Sequence, residues 1–552
     1  MPENMKQAVV YQIYPKSFSS HRQQATGDLL GVVDRLDYLA WLGVDYLWLT
    51  PFYCSPQKDN GYDVSDYYRI DPAYGSMADF ELLLAEARQR GIGIMLDIVV
   101  NHTSTEHAWF RQALKGRDNF YRDFYIWRDQ PNNWQSKFGG SAWAFEPESG
   151  QYYLHLFDQT QADLNWENPQ LRQAVFEMMR FWADKGVAGF RLDVINLISK
   201  DPAFSEDDSD GRHFYTDGPR VHEYLQQMHR EVFAGRELLT VGEMSSTSLA
   251  HCIDYSHPER RELSMTFNFH HLKVDYPQGQ KWQLGRFDFV GLKRILSDWQ
   301  QGMHAGGGWN ALFWCNHDQP RVVSRFGDEG QYRQVSAKML ATALHGLQGT
   351  PYLYQGEEIA MANPAFQHIE ELRDVESLNA YQQLLASGLD RAQAMAVIRQ
   401  KSRDNSRTPM QWDNSRFAGF SQTQPWLRLA DDAGHINVAA ALADPDSVLH
   451  HYRRLIALRK QYPVLADGDY RCLTPEHPSL WVYTRRSAAE MLLVISHFGA
   501  EAQSYRLPEG VIPEGWQAEL LLSNYPAPPA GWQWQLRPWH SLLYRFYPVT
   551  PP

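Results

Sequence analysis

The sequence is poor in the features that would place it among membrane, secreted or nucleic-acid-binding proteins. No apolar run approaches the roughly 18 uninterrupted residues of a membrane-spanning helix, and the opening MPENMKQAVVYQIYP lacks a basic segment followed by an apolar one. The expected compartment is the cytoplasm. There are four cysteines, Cys54, Cys252, Cys315 and Cys472, and they form no CxxC pair and no zinc-ligand spacing. Neither a disulfide framework nor a zinc centre is expected. Positive charge is in deficit: 52 Lys and Arg against 65 Asp and Glu leave a net charge of -13, which argues against general affinity for nucleic acid or anionic membranes. An anionic ligand would therefore need a local basic pocket. The acidic surface favours solubility, and a monomer is the simplest expectation.

The chain has 552 residues, more than one hydrophobic core usually organises. Short apolar, β-branched runs alternate with longer stretches of helical period, the pattern of parallel strands joined by crossover helices. Eight such runs are read as strands: Val9 to Ile13, Tyr46 to Leu49, Gly93 to Val100, Gly189 to Val194, Leu238 to Gly242, Leu263 to Phe267, Ala311 to Cys315 and Thr350 to Tyr354. Eight strands predict a closed (β/α)8 barrel of the TIM type, an α/β fold. Between the first two strands a helix is expected to stop at Gly43, a good left-handed terminator. The catalytic barrel is expected over 1–100 and 173–464. The gap over 101–172, rich in Trp, Tyr, Gly, Asn and Pro, exceeds one crossover helix and is expected to be an inserted subdomain. Helical, polar text from Asn363 to Arg403 reads as a further insertion. Over 465–552, short alternating runs such as LWVYTR and MLLVIS between Gly and Pro turns predict an antiparallel β-sandwich domain.

In GFRLDV, strand alternation puts Arg191 and Asp193 on one face while Phe190, Leu192 and Val194 face packing. Functional groups of a barrel gather at the C-terminal ends of its strands, and three acids fall there: Asp193, Glu243 in VGEM and Asp318 in NHDQ. Singly, each acid reads as a helix cap or a structural ion pair. Together, with His102 and His317 nearby, they suit glycosidic cleavage with retention. That reaction needs one ionised carboxylate to attack the anomeric carbon and one protonated carboxyl group for the leaving oxygen, about 5 Å apart. Arg191 would keep Asp193 ionised, and crowding by other acids would keep Glu243 protonated. Asp318 could then favour the cationic transition state.

Four motifs, DIVVNH (Asp97 to His102), GFRLDV, VGEM and NHDQ, occur in this order at barrel-sized spacings. With them the chain resembles the alpha-amylase family of glycoside hydrolases, in its oligo-1,6-glucosidase-like branch. The resemblance implies Asp193 as nucleophile, Glu243 as proton donor and Asp318 as stabiliser. It also implies sugar-binding roles for Asp63, His102, Arg191 and His317. KSRDNSRTPMQW (Lys401 to Trp412) is similar to the segment that closes the pocket of this branch around one terminal glucose, with Arg407 expected to pair with Asp63. Many members bind calcium in an acidic loop after the first strand. Here SSHRQQATGD carries a single acid, so no metal site is expected there.

A narrower resemblance, to branch members that cleave trehalose 6-phosphate into glucose and glucose 6-phosphate, rests on FNFHHLKVDY (Phe267 to Tyr276), VGEMSSTS and NLISKDP. Its basic residues His270, His271 and Lys273, with Lys281 beyond, are candidates for a phosphate pocket, and Lys200 is a weaker one. The plain alternative for this set is a solvated loop patch. Such hydrolysis needs no cofactor, and the expected partner is a small sugar phosphate. The alternative within the same chemistry is a neutral-sugar α-glucosidase, of the oligo-1,6-glucosidase or sucrose-isomerising type. A catalytically inactive carbohydrate-binding or transporter-associated relative is a different class; all three acids being present counts against it.

Overall fold

The computed structural model describes residues 2–528 and 530–549. Eight short parallel strands carry the architecture: β1 (Val10–Ile13), β2 (Tyr46–Leu49), β3 (Gly93–Ile98), β4 (Gly189–Leu192), β5 (Leu239–Glu243), β6 (Met265–Phe267), β7 (Ala311–Leu312) and β8 (Thr350–Tyr354). All eight expected strands form, several of them shorter than read from sequence. They pair in the order β6-β5-β4-β3-β2-β1-β8-β7. A parallel bridge between Thr266 and Asn310 joins β6 to the residue before β7 and closes the barrel. Strands such as VYQI and YLWL are buried along their whole length, which is why they read as continuous apolar runs rather than alternating ones.

Helix boundaries follow local chemistry. Gly43 ends Leu36–Leu42 in the left-handed conformation, with φ 97°. Ser76 and Asp79 form a reciprocal capping box on Met77–Gln89. Asn168 caps Pro169–Asp184, with Pro169 in the first turn where its missing N–H costs nothing.

Between β3 and the helix Pro169–Asp184 lies a small antiparallel unit, with strands Trp127–Arg128, Gln151–Leu154 and Trp143–Glu146 in one sheet. Ile126, Trp134, Trp143, Leu154 and Leu156 form its apolar centre, into which Leu197 and Tyr215 of the barrel reach. The buried Lys200 ammonium also staples it to the barrel, 2.9 Å from Asp163 and 2.8 Å from Asn101 Oδ1. Helices Val375–Ala386 and Arg391–Lys401 pack on each other through Tyr381, Met395 and Ile398; the first carries Glu376 to the mouth of the barrel, and the 3-10 turn Arg403–Ser406 after the second brings Arg403 there.

The C-terminal residues form a five-stranded antiparallel sheet, ordered Asp469–Cys472, Leu480–Arg486, Met491–His497, Ser541–Pro548, Trp516–Ser523. A second, two-stranded sheet covers it through Trp534 and Leu536. Lys293 of the barrel ties this unit down by donating to the carbonyls of Thr474, His477 and Leu480. Among the described residues no helix is long and apolar enough to cross a membrane, and all four cysteines are unpaired.

Candidate active site

The register of the central strands sets the site. Arg191 of β4 lies beside Asp97 of β3, so both side chains enter the barrel interior side by side. The Arg191 guanidinium, 1% exposed, bonds Asp97 at 2.9 Å and Asp193 at 2.5 Å through Nη1, and Glu243 at 2.7 Å through Nη2. A single cation thus braces the two acids expected to do the chemistry. The chain turns sharply where β4 ends: Val194 adopts φ 35° and ψ 41°. This left-handed conformation strains a β-branched residue by about 1–3 kcal/mol. In return its N–H donates to Glu243 Oε2 at 3.1 Å, fixing the Glu243 carboxyl group beside Asp193.

Burial raises both acids. Glu243 is pushed up to about 8, first by burial and then by the charges of Asp193 and Asp318, against the pull of Arg191. Asp193 is pushed up to about 7 by burial, with Arg191 opposing and Asp97 adding to the rise. Both acids hold a proton more tightly than free carboxylic acids do, and Glu243, flanked by the charges of Asp193 and Asp318, is the one suited to carry it. Asp318 behaves in the opposite way. Burial works against its charge, but the positive field of the adjacent His317 dipole and of the guanidinium groups of Arg403, Arg407 and Arg191 more than offsets it and holds the carboxyl group well below the usual carboxylate range. Its side chain is 25% exposed, against 9% for Asp193 and 7% for Glu243, so Asp318 is the acid that projects furthest into the open cavity.

His317 is buried and its pKa is lowered to about 3 by burial, so the ring is neutral. The Gln12 amide donates to Nδ1 at 2.8 Å, leaving the proton on Nε2, 3.3 Å from Asp318 Oδ2. Tyr62 stacks flat on His317, centroids 5.1 Å apart, and its hydroxyl donates to Asp97 at 2.9 Å. His102, also neutral through burial, lies on the cavity wall with Phe157 against its ring at 5.1 Å. The cavity over these groups measures about 200 Å³, below the roughly 300–1,000 Å³ of pockets for drug-sized ligands. It encloses one sugar ring rather than a chain.

Two expectations are corrected here. Asp63 does not pair with Arg407. It is fully buried and accepts from the N–H groups of Lys58 and Asp59 and from the Ser55 hydroxyl, at 2.7 to 3.0 Å, so it organises its own loop. Arg407 instead donates to Asp318 at 2.9 Å and to the His317 carbonyl at 2.8 Å from behind. The pair that closes the pocket lies four residues earlier in both segments. Arg403 bonds Asp59 at 2.8 Å and Asp374 at 2.6 Å, and stands 3.4 Å from Asp318. Asp59 is presented by a turn in which Gly61 has φ 102°, where a side chain would meet the Pro51 carbonyl at 2.9 Å.

The basic set is also sorted by its contacts. The His270 ring bonds the Thr247 carbonyl at 2.7 Å, and the buried His271 ring bonds the Phe313 carbonyl at 2.8 Å. Each is tied to backbone through one ring nitrogen, and neither is among the residues lining the cavity. Lys281 does line it, but its ammonium rests on both oxygens of Glu376 at 2.8 Å. Lys273 is half-buried, and its charge is felt by Lys137 on the cavity wall. Lys200, in the Asp163 staple, is structural.

Residues 12–468 match the catalytic domain of alpha-amylase. The chain belongs to the alpha-amylase family. It is 56% identical over 547 residues to the trehalose-6-phosphate hydrolase of Bacillus subtilis (strain 168), covering 98% of each chain. It is 57% identical over 549 residues to that of Escherichia coli (strain K12), again 98% of each. An oligo-1,6-glucosidase of Parageobacillus thermoglucosidasius is 48% identical over 555 residues, with the same coverage. A crystal structure of trehalose-6-phosphate hydrolase from Bacillus licheniformis superposes with a TM-score of 0.95 at 56% identity, covering 98% of this chain and 99% of that one. The family resemblance carried by the four motifs therefore holds. In this alpha-amylase-family barrel the lone acid of the loop after β1, Asp28, is engaged by the N–H groups of His21, Arg22 and Gly31. Among the described residues no group of three or more His, Cys, Asp and Glu side chains is arranged to hold a metal ion.

Proposed function

We propose that this chain hydrolyses the α-glucosidic bond of trehalose 6-phosphate with retention of configuration, releasing glucose and glucose 6-phosphate. The observation that carries the chemistry is the Arg191 brace, which holds Asp193 and Glu243 on neighbouring nitrogens of one guanidinium. That closeness suits the spacing of about 5 Å used for double displacement rather than the roughly 6.5–9.5 Å that leaves room for water in inverting enzymes. Asp193 attacks the anomeric carbon while Glu243 gives its proton to the leaving oxygen. Glu243 then takes a proton from the water that releases glucose from Asp193. Asp318 and the His317 N–H bind hydroxyls of the glucosyl ring and favour its positive charge in the transition state. Tyr62 offers the ring a flat aromatic face, and Asp59 with Arg403 seals its far end, so one terminal glucose is accepted.

The substrate assignment draws on the two relatives at 56–57% identity, both named for trehalose 6-phosphate, against 48% for the oligo-1,6-glucosidase. A phosphate on the leaving glucose would meet the basic side of the mouth, with Lys281 on the wall and Lys273 adding its charge. Direct hydrolysis by two carboxyl groups calls for no cofactor. An intracellular sugar phosphate and unpaired cysteines suit a cytoplasmic monomer.

The test is glucose release from trehalose 6-phosphate, trehalose, isomaltose and sucrose side by side, with Asp193→Asn as blank. Strong preference for the phosphorylated sugar is expected. Preference for isomaltose or sucrose would replace it with the neutral-sugar reading, and inactivity on all four would overturn the enzymatic one.

A further inference from the structure

Lys137 stands out among the cations of the cavity wall, and nothing in the sequence motifs draws attention to it. It belongs to the inserted unit, where its backbone N–H donates to the Leu156 carbonyl at 2.8 Å. The next residue, Phe138, packs beneath the Arg403 guanidinium at 4.9 Å. Gly139 lies beside the Gln383 side-chain amide of the helix Val375–Ala386. The short loop is thus held by the inserted unit and the Arg403 side chain, and Lys137 lines the cavity.

The ammonium donates to the Ser245 hydroxyl at 3.0 Å and lies 5.5 Å from the centre of the Tyr215 ring. Among the described residues it makes no ion pair. The other cations of the wall are already matched, Arg403 by Asp59 and Asp374 and Lys281 by Glu376. Burial, together with the like charges of Arg212 and Lys273, pushes the Lys137 amine down to about 7, against the weaker pull of Asp210 and Glu243. A buried amine turned into a cavity beside two cations, hydrogen-bonded to a hydroxyl and matched by no carboxylate, is a site that an anion would complete and hold protonated.

Its position says which end of the substrate it faces. Ser245 lies two residues beyond Glu243, the group that protonates the leaving oxygen, so the Lys137–Ser245 wall borders the leaving sugar. We propose that Lys137, with the Ser245 hydroxyl, binds the phosphate of the leaving glucose 6-phosphate, and that Lys273 and Arg212 strengthen the field around it. This rests on the trehalose 6-phosphate reading and names the residue that enforces it.

The experiment uses the full-length enzyme as wild type, Lys137→Met, Lys137→Gln and Lys137→Arg. Glutamine keeps a donor for Ser245 without the charge, so it guards against loss of the loop. Two readouts are taken: kcat/KM for trehalose 6-phosphate relative to p-nitrophenyl α-glucoside, and inhibition of aryl-glucoside cleavage by glucose 6-phosphate relative to glucose. A charge-assisted hydrogen bond lost from a bound phosphate corresponds to about 10- to 100-fold. The selectivity ratio should fall by that factor in the Met and Gln variants, glucose 6-phosphate inhibition should weaken in parallel, and Arg should recover part of both. Equal losses on both substrates, or a selectivity ratio untouched by Lys137→Gln, would overturn the assignment. A wild type that does not prefer trehalose 6-phosphate to trehalose, yet binds glucose 6-phosphate through Lys137, would sink the substrate reading and keep the anion site. A wild type that binds glucose 6-phosphate no better than glucose would sink both.

Discussion

Removing the proton from the site without disturbing its shape is the sharpest test of the paired acids. Activity requires Asp193 ionised and Glu243 protonated, and the two groups sit near 7 and 8. Below the lower value the nucleophile is neutralised; above the upper one the acid has lost its proton. The competent state, Asp193 ionised with Glu243 protonated, is populated between the two values and falls away on either side. A narrow bell in kcat/KM is therefore expected, its two limbs belonging to the pair. In Glu243→Gln the amide oxygen still accepts from the Val194 N–H, so the geometry is retained while the transferable proton is gone. Cleavage of a disaccharide should fall by about 10²–10⁴-fold, the usual worth of a general acid. Cleavage of p-nitrophenyl α-glucoside, whose phenolate leaves with little protonation, should fall much less. The basic limb should disappear and the acidic one persist. Steady-state rates across pH 5.5–9.5 on both substrates decide the matter. Equal losses on the two, with the basic limb intact, would refute the assignment of Glu243.

Asp59→Asn weakens the Arg403 seal at the far end of the glucosyl site, and should lower kcat/KM about 10- to 100-fold on phosphorylated and aryl substrates alike; a loss confined to the phosphorylated sugar would contradict this placement. Arg407→Leu withdraws one of the three arginines that keep Asp318 ionised, so kcat should drop while KM moves little, and a change in KM alone would show that Arg407 contacts substrate instead. Lys200→Met leaves Asp163 buried without its cation, and breaking such a pair costs about 3–5 kcal/mol. Denaturant unfolding should show that loss, and pairing the change with Asp163→Leu should recover much of it.

The chemistry was legible in the sequence because strand alternation reports directly on which side chains share a barrel interior. Arg191, Asp193 and Glu243 fall at strand ends where a period of two dictates their direction, and all eight strands formed where short apolar runs stood. Loops carry no such period. Asp63 and the segment Lys401 to Trp412 both stand out in the sequence, yet the pair that seals the pocket, Asp59 and Arg403, sits four residues before Asp63 and Arg407. Arg403 and Arg407 flank a single 3-10 turn and reach the same carboxylates, Asp318 and Asp374. A motif that contains both cannot say which reaches Asp59. Asp63 was equally ambiguous, since an acid in a Gly-containing turn serves as readily to hold backbone N–H groups as to face a ligand.

Selectivity follows a different logic from catalysis in this fold, because the groups that would set it come from segments remote from the strand ends. Lys137 and Phe138 arrive on the inserted unit, Glu376 on a helix after β8 and Arg403 on the 3-10 turn that follows, and they meet only because each segment is anchored to the barrel separately. The Lys200 staple to Asp163 and Asn101 holds the inserted unit against the barrel. It follows that disturbing that staple should lower activity on every substrate together, whereas changing Lys137 should alter the ranking among substrates. A basic residue read from sequence beside a strand end, such as His271, is the poorer candidate for that reason: next to the barrel, a ring nitrogen finds the Phe313 carbonyl long before it can find a phosphate.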